Sequence, residues 1–368
     1  MNPLDPRLTE GLRARCTRWL PGHGPMSARR WTEALAASPH LDHALDSYSD
    51  GPAMQMLETQ SAGLLGKPES LFFHKGIAGQ QAALLALVAE RGGGPVFVHP
   101  RSHLAEDERD ALSALSRLDL RRIGPHDRPF TAADLAKYGE RPAVVTVELP
   151  LRQAGFLAPS WEELTAIAAW CRAHSVALHL DGARIWELQP YYGRPLTEIA
   201  ALADSIYVSF YKGLGGMGGC VVAGPPALVA AMRPWRNRFG GDLYTAFPFV
   251  VTALDGLARH LPAMPTYFAH ATALAAGLGG VSGLRVLPAA PHGNSFRIEF
   301  DAPPAAVEMA ALAHAEAHGE WLFGRILPTA WPGRSAAEIV IGAAGLDWPA
   351  EAQAGAIAAV LATAREKG

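Results

Sequence analysis

Two charged residues in the middle of the chain each end a short, mostly apolar run and are followed at once by glycine. Asp181 ends the run that begins at Ala177, and Lys212 ends the run that begins at Ser205. Runs of this kind predict buried strands. Residues 186–204, between the two runs, can form the helical crossover that two neighbouring parallel strands require. We therefore expect both charges at the same edge of one sheet.

A carboxylate and an amine at that edge can bind the two ends of one aromatic ring. Neighbouring strands lie about 4.8 Å apart, and doubly wound α/β folds bind ligands beyond the carboxyl ends of their strands. A lysine that is partly desolvated or close to other cations has a lowered pKa and attacks carbonyl groups. This combination predicts pyridoxal phosphate (PLP) as the cofactor, with Lys212 as its Schiff-base lysine and Asp181 keeping the ring nitrogen protonated.

The sequences HLDGAR at residues 179–184 and KGLG at residues 212–215 resemble, in order and spacing, the two signature motifs of the threonine aldolase and β-eliminating lyase family. The resemblance implies fold type I of the PLP-dependent enzymes. The expected architecture is an α/β large domain, with a mostly parallel seven-stranded sheet flanked by helices, and a smaller C-terminal α+β domain. We place a helical arm at residues 1–45, the PLP-binding large domain at 46–250, and the small domain with its linking helix at 251–368.

A phosphate site is predicted within residues 70–81, where a short apolar strand opens into a helix through a turn that contains glycine. The first turn of a helix offers free backbone N–H groups and the positive end of the helix dipole. The resembling family has a Ser-Gly-Thr motif here, whereas this chain has Lys75, Gly76 and Ile77. These three residues are expected to bind the cofactor.

Tyr244 stands where the family has an arginine that reaches the phosphate in a neighbouring subunit. Two interpretations remain open. Either Lys75 supplies the positive charge that position 244 lacks, with Tyr244 donating its hydroxyl, or Lys75 lies on the surface and Arg236 or Arg238 meets the phosphate. The resemblance also implies a homodimer or homotetramer whose active sites lie at the subunit interface.

His103 follows a predicted strand at residues 95–98. The resemblance implies that its ring stacks over the cofactor and leaves the imidazole close to the β-carbon of the substrate. An unperturbed imidazole titrates near pH ~6.5, so His103 can act there as a base, directly or through water.

Several arginines are candidates for binding the substrate carboxylate. Arg184 can also reach the ring oxygen of the cofactor. A predicted strand at residues 142–148 ends at Glu148. At this point the family usually has a Glu-Asn-Thr-His-Asn segment, and this chain keeps only Glu148 and a later glycine. We therefore expect a different substrate pocket. The candidate arginines are Arg152, Arg184 and Arg297, with Arg325 and Arg334 also open.

The composition is that of an ordinary globular protein. The 368 residues carry a formal charge of −3, with 49% hydrophobic and 18% charged residues. This length fits a large domain plus a smaller one, and the composition excludes a disordered chain. The charge gives no reason to expect nucleic acid or an anionic membrane as a partner. Three scattered cysteines without a Cys-x-x-Cys pair argue against a disulfide framework and a structural zinc, so no metal is expected.

The resemblance implies a PLP-dependent lyase whose small-molecule substrate is an amino acid, and the sequence as a whole predicts a cytoplasmic protein. The chain starts without a basic region followed by an apolar run, and it has no stretch as long as a membrane span. The expected reaction cleaves the Cα–Cβ bond of a β-hydroxy-α-amino acid, giving glycine and an aldehyde.

Three alternatives remain. One is β-elimination or another transformation of a different amino acid, and one is a non-catalytic PLP-binding protein, against which the Asp181 and Lys212 pair argues. The last is a nucleotide-binding loop at residues 213–219, disfavoured because the Gly-Lys-Ser/Thr ending is missing.

Overall fold

Two units make up the described part of the chain, residues 6–366, in this computed structural model. The larger unit is Met26–Pro262, and the smaller unit combines the segment up to Pro25 with the residues from Ala263 onward. The domain boundaries expected at residues 45 and 250 differ from this division. The reason is that strand pairing ties residues 18 and 19 to residues 320 and 321, whereas the helix Ala28–Ala36 contacts the helix Phe247–His260.

Strands and helices alternate along most of the chain. The strands are β1 (Arg18–Trp19), β2 (Glu69–Phe73), β3 (Val96–Val98), β4 (Leu120–Arg122), β5 (Val144–Glu148), β6 (Ala177–Asp181), β7 (Ser205–Ser209), β8 (Cys220–Gly224), β9 (Leu284–Leu287), β10 (Ser295–Phe300), β11 (Glu320–Trp321), β12 (Ile326–Pro328) and β13 (Ser335–Val340). The helices are α1 (Pro6–Arg15), α2 (Ala28–Ala36), α3 (Pro52–Leu65), α4 (Gly76–Glu90), α5 (His103–Glu106), α6 (Ala111–Ala114), α7 (Ala132–Ala136), α8 (Trp161–Ala173), α9 (Ile185–Tyr192), α10 (Leu196–Ala201), α11 (Pro226–Arg238), α12 (Phe247–His260), α13 (Met264–Leu278), α14 (Pro304–His318) and α15 (Ala350–Glu366). Short 3₁₀ turns occur at Arg152–Ala154, Leu261–Ala263 and Ala343–Asp347.

The larger unit is built around a seven-stranded sheet in the order β2-β8-β7-β6-β5-β3-β4. Within this sheet β8 runs antiparallel to both of its neighbours, and the other pairs of adjacent strands are parallel. The expected mostly parallel seven-stranded sheet is therefore confirmed. Strands β6, β7 and β8 are buried along their whole length, as is usual for a sheet covered by helices on both faces.

Helices α3, α4, α8 and α11 pack on this sheet. Helix α8 begins at a capping box, in which Ser160 Oγ accepts the Glu163 N–H (3.2 Å) and the Glu163 carboxylate accepts the Ser160 N–H (3.0 Å). The box pairs two N–H groups that would otherwise lack a partner at this helix end. It fixes the start of the helix that leads into β6.

The crossover between β6 and β7 consists of two helices rather than one. Helix α9 ends at Gly193, which adopts the left-handed conformation (φ 60°) that commonly closes a helix. The strand register then sets Asp181 beside Glu148 of β5 and beside Tyr207 of β7. After β7 the chain continues directly to Lys212, so the carboxyl ends of three adjacent strands lead to one region.

The smaller unit contains a four-stranded antiparallel sheet in the order β12-β13-β10-β9 and a parallel pair formed by β1 and β11. In β10 the side chains of Phe296, Ile298 and Phe300 are buried, whereas Arg297 and Glu299 are half-buried. Helices α13 and α14 pack against α15. This is an α+β arrangement. Across residues 6–366, each helix is too short or too polar to cross a membrane.

An ion cluster beside β2 can be tested by removing its cation. The Arg236 side chain on α11 is 6% exposed, and its Nε lies 2.7 Å from Asp242 Oδ1 while its Nη1 lies 3.8 Å from Glu58 Oε1. We expect Arg236→Leu to lower the free energy of unfolding by about 3 kcal/mol, because it removes the cation nearest to two poorly hydrated carboxylates. Denaturant unfolding followed by tryptophan fluorescence measures the change.

Arg238→Leu is the matched control on the same helix. Arg238 is exposed and its guanidinium lies 4.5 Å from the centre of the Trp235 ring, so its removal should change stability by no more than about 0.5 kcal/mol. Equal losses in the two variants would show that the cluster around Arg236 contributes nothing specific.

Candidate active site

A cavity opens in the larger unit where β5 and β6 end. It is lined by Glu148 and Asp181 from these strands and by Lys212 from the segment after β7. Other predicted site residues line the same cavity, namely Lys75, Gly76, Ile77, His103, Arg152 and Arg184. The structure thus brings together the main residues proposed from the sequence, with the exception of Tyr244 and Arg297. The alternative arginines do not line this cavity either, namely Arg236, Arg238, Arg325 and Arg334.

Asp181 and Lys212 are oppositely charged groups that share this cavity. Asp181 is 3% exposed. Burial raises the pKa of its carboxyl group, and the nearby Lys212 ammonium opposes that rise. Burial also lowers the pKa of the Lys212 amine, as does the neighbouring Arg184, whereas the Asp181 carboxylate acts in the opposite direction. Lys212 therefore loses its proton more readily than a surface lysine, and the neutral amine is the form that attacks a carbonyl group.

The N-terminus of α4 forms one wall of the cavity. The first backbone hydrogen bond of this helix runs from the Ala78 N–H to the Lys75 carbonyl oxygen (3.1 Å), so the N–H groups of Gly76 and Ile77 come before the helical ladder. Gly76 has no room for a side chain, because a Cβ atom there would collide with the Tyr207 hydroxyl. Lys75 and these N–H groups together provide a cradle suited to an anion.

His103 is the first residue of α5 and is held by two carboxylates. Its backbone N–H donates to Glu148 Oε2 (2.6 Å), and its Nδ1 lies 3.2 Å from Glu108 Oε1. An ionised carboxylate can only accept a hydrogen bond, so this contact assigns the ring proton to Nδ1. The other ring nitrogen, Nε2, is then the one with a lone pair to offer.

Glu148 accepts hydrogen bonds from the backbone of two segments that border the cavity. Its Oε2 accepts the His103 N–H, and its Oε1 accepts the Arg152 N–H (3.1 Å). Burial, followed by the Asp181 carboxylate, raises the pKa of Glu148 to about 8. Glu148 was not predicted as a site residue, although it ends an apolar strand in the same way as Asp181.

Gln80 and Glu108 also line the cavity and were not predicted. Gln80 lies inside helix α4, and Glu108 follows α5 in a run of acidic residues. Neither position carries a signal in the sequence, because a single polar residue in such a context is usually on the surface or paired within the core. Only the packing of α4 and α5 onto the sheet identifies them.

The two arginines of the cavity have other contacts. Arg184 Nη1 lies 3.3 Å from Glu187 Oε1, and this oxygen also accepts the Gly213 N–H (2.8 Å). The Arg184 guanidinium carbon lies 5.4 Å from the centre of the Phe156 ring. Arg152 Nη1 lies 3.8 Å from Asp107 Oδ2. Arg184 therefore has a defined orientation next to the turn that carries Lys212.

The other two predicted site residues do not line this cavity. Tyr244 is 73% exposed, and its ring meets the Tyr48 ring edge-on at 5.7 Å between centres. Arg297 belongs to the smaller unit, where its Nη2 lies 3.6 Å from Glu338 Oε1. Within residues 6–366, no group of three or more His, Cys, Asp or Glu side chains is arranged to hold a metal ion.

The chain matches a known family of enzymes. A family model described as Beta-eliminating lyase matches residues 29–300, so the chain belongs to the beta-eliminating lyase family. A solved structure described as a putative L-allo-threonine aldolase from Listeria monocytogenes has a TM-score of 0.89 and 31% sequence identity, over 96% of this chain and 99% of that one.

Two named relatives are similar over part of their length. The aldolase vrtJ of Penicillium aethiopicum is 32% identical over 222 residues, which are 58% of this chain and 55% of that protein. The low-specificity L-threonine aldolase 1 of Arabidopsis thaliana is 24% identical over 269 residues, which are 68% of this chain and 72% of that protein. The chain thus spans about half the length of the first relative.

Family membership confirms the expected fold type and cofactor. The chain is an enzyme of the lyase class, and its cofactor is PLP. The residues present fit this group, because a poorly solvated amine and a buried carboxylate face one cavity. The backbone N–H groups of Gly76 and Ile77 at the start of α4, beside Lys75, add a cradle for the phosphate.

Glu148→Gln should flatten the dependence of stability on pH. The pKa of Glu148 is raised from 4.5 to about 8, so between these values the folded chain keeps a proton that the unfolded chain has lost. The stability of the cofactor-free chain is therefore fully present below the lower value and falls as the pH rises through the higher one. Urea unfolding across this pH range should show a smaller fall for Glu148→Gln.

Glu106→Gln provides the comparison, because Glu106 lies on α5, the helix whose first N–H Glu148 accepts, and pairs with Arg101 (3.2 Å). Its slope should equal that of the wild type. A Glu148→Gln variant with an unchanged slope would contradict the protonated state assigned to Glu148.

Proposed function

We propose that the chain cleaves the Cα–Cβ bond of a β-hydroxy-α-amino acid, giving glycine and an aldehyde. The observation that carries this proposal is the presence in one cavity of the Lys212 amine, the Asp181 carboxylate and the His103 imidazole. The relatives described as aldolases support it.

Three groups of residues would hold the cofactor. Lys212 would carry PLP covalently, and Asp181 would face its ring nitrogen. Lys75, together with the N–H groups of Gly76 and Ile77, would bind its phosphate. Bound in this way, PLP supplies a sink for the electrons of the bond that breaks at Cα.

His103 is the proposed base for the β-hydroxyl group. Its Nδ1 proton is directed at Glu108, so Nε2 can accept the hydroxyl proton. As that proton leaves, the hydroxyl oxygen becomes the carbonyl oxygen of the aldehyde and the Cα–Cβ bond breaks. The Glu108 carboxylate stabilises the resulting imidazolium. Lys212 would hold the proton that Cα takes up.

Arg184 and Arg152 are the proposed ligands of the substrate carboxylate in the larger unit. A guanidinium group can bind a carboxylate through two parallel hydrogen bonds. Arg184 is already oriented by Glu187 and Phe156.

β-Elimination is the second candidate function, and the wall of the cavity favours it. Leu149 and Pro150 line the cavity where the family pattern has polar residues, so the surroundings of the β-substituent have changed. Elimination requires a leaving group on the β-carbon and no base at a β-hydroxyl group. It would therefore proceed without a proton acceptor at His103.

We also infer that the protein is a homodimer or homotetramer. Tyr48 and Tyr244 are 63% and 73% exposed, and the Tyr48 N–H donates to the Tyr244 carbonyl oxygen (3.1 Å). Two large, exposed aromatic rings held together in this way form a surface suited to a second subunit. This surface supports the interpretation that Tyr244 acts at a neighbouring site.

Lys212→Ala should remove both the covalent cofactor and the activity. The wild type should show the absorbance band of lysine-linked PLP and should release glycine and an aldehyde from L-threonine or β-phenylserine. Lys212→Ala should show neither, because Lys75, a second amine that lines the cavity, lies at the start of α4, where it would bind the phosphate. Lys137→Ala, which alters an exposed lysine, should behave as the wild type.

The products distinguish the two candidate functions in the same experiment. Pyruvate and ammonia released from β-substituted alanines, without aldehyde release from β-hydroxy amino acids, would replace the aldolase proposal by β-elimination. A band that persists in Lys212→Ala would refute the role of Lys212.

Lys75→Ala should weaken the binding of PLP but not of pyridoxal, which lacks the phosphate. A hydrogen bond to a charged group contributes roughly 1.5–3 kcal/mol, so the dissociation constant of PLP should rise at least about tenfold. Arg236, a cation considered as the alternative, is 6% exposed and paired with Asp242. Equilibrium binding to the cofactor-free protein measures both ligands, and equal affinities in the wild type and Lys75→Ala would end this assignment.

A further inference from the structure

The hydroxyl group of Tyr207 lies at the N-terminus of helix α4. Tyr207 belongs to β7, where it is the register partner of Asp181 on β6, and it lines the same cavity. Its side chain is buried, with 3% of the residue exposed. A Cβ atom on Gly76, the first residue of α4, would collide with the Tyr207 hydroxyl oxygen. The hydroxyl therefore occupies the place that a side chain at position 76 would need.

This place is next to the free N–H groups of the helix. In an α-helix the Cα–Cβ bonds tilt toward the N-terminus, so an atom at the Cβ position of the first residue lies on the side to which those groups point. The N–H groups of Gly76 and Ile77 precede the first hydrogen bond of the helix, from the Ala78 N–H to the Lys75 carbonyl oxygen (3.1 Å). The Tyr207 hydroxyl and these N–H groups thus meet at one helix end, although they come from separate elements.

A hydroxyl at this helix end adds a donor that the start of α4 lacks. A phosphate group has three strong acceptor oxygens, whereas the donors at the start of α4 are the Lys75 amine and the two N–H groups. The side chain of Ile77 adds none. Burial raises the pKa of Tyr207 well above its usual value, so its hydroxyl keeps the proton that it would donate.

We propose that Tyr207 is a phosphate-binding residue, which donates its hydroxyl proton to a phosphate oxygen of bound PLP. This inference rests on the proposed function, which sets the phosphate at the start of α4. It also gives Gly76 a specific role, because a larger residue there would displace the hydroxyl from the helix end. Strand β7 then serves both ends of the cofactor, since the chain that follows it carries Lys212.

The test compares the binding of PLP with that of pyridoxal, which lacks the phosphate, to the cofactor-free full-length protein. Tyr207→Phe removes only the hydroxyl group. The dissociation constant of PLP should rise about tenfold, as expected for the loss of one hydrogen bond to a charged group, and that of pyridoxal should stay the same. A purely structural role of the hydroxyl would raise both constants together.

Tyr192→Phe is the matched control. The Tyr192 hydroxyl donates to the Pro159 carbonyl oxygen (2.9 Å), and Tyr192 does not line the cavity. Its removal should leave the ratio of the two dissociation constants at the wild-type value. The same unchanged ratio in Tyr207→Phe would overturn the proposal. If Tyr207→Phe does not fold, a crystal structure of the wild type with PLP decides. The hydroxyl oxygen should lie about 2.7 Å from a phosphate oxygen, and a water molecule between the two would refute the assignment.

Lys75→Ala separates this proposal from the proposed function. If Lys75→Ala and Tyr207→Phe both leave the ratio unchanged, the position assigned to the phosphate is wrong. If Lys75→Ala raises the ratio and Tyr207→Phe does not, only the role of Tyr207 is wrong. The release of glycine and an aldehyde by the wild type tests the proposed reaction independently, because the products do not depend on which residues bind the phosphate.

Discussion

The burial of charged groups at the end of a parallel sheet is the constraint on which this site depends. Moving a carboxylate or an ammonium group out of water costs several kcal/mol unless a partner compensates for the loss. Asp181 has the nearby Lys212 amine and the Ala183 N–H (3.3 Å) to compensate for this loss. The compensation requires these groups to stay in place, and the fully buried strands β6 and β7 provide that rigidity. The stiffness of the sheet is thus a condition for its chemistry.

The same constraint accounts for the polar residues packed around the cavity. Glu187 is 2% exposed, and it accepts the Gly213 N–H while pairing with Arg184. In doing so it fixes the turn that follows Lys212. Burying a carboxylate lowers the stability of the fold. In this protein the buried Glu187 carboxylate holds the turn next to Lys212, so part of the stability is given up to orient the lysine. The shape of the cavity wall therefore depends on side chains that hydrogen-bond the backbone as well as on side chains that face the ligand.

The parts of this protein that sequence reasoning predicted are those with a local pattern. The runs that end at Asp181 and before Lys212 have the apolar composition of buried strands, and parallel pairing requires their ends to meet. The glycine at position 76 marks a helix N-terminus, and this too is visible in the sequence. Glu108 and Gln80 could not be found in this way, because their place in the cavity depends on how separate elements pack. The grouping of residues up to Pro25 with the C-terminal residues depends on the pairing of β1 with β11, distant in the sequence.

The shared anchor at Glu148 links two functions that an enzyme lineage would otherwise vary separately. One carboxyl group holds the backbone of His103 and the backbone of Arg152. The turn around Arg152 is where a new substrate would be accommodated, and His103 is where the proton would be handled. A mutation that moves the turn around Arg152 would therefore move His103 as well. A change of substrate preference would then also change the reaction rate.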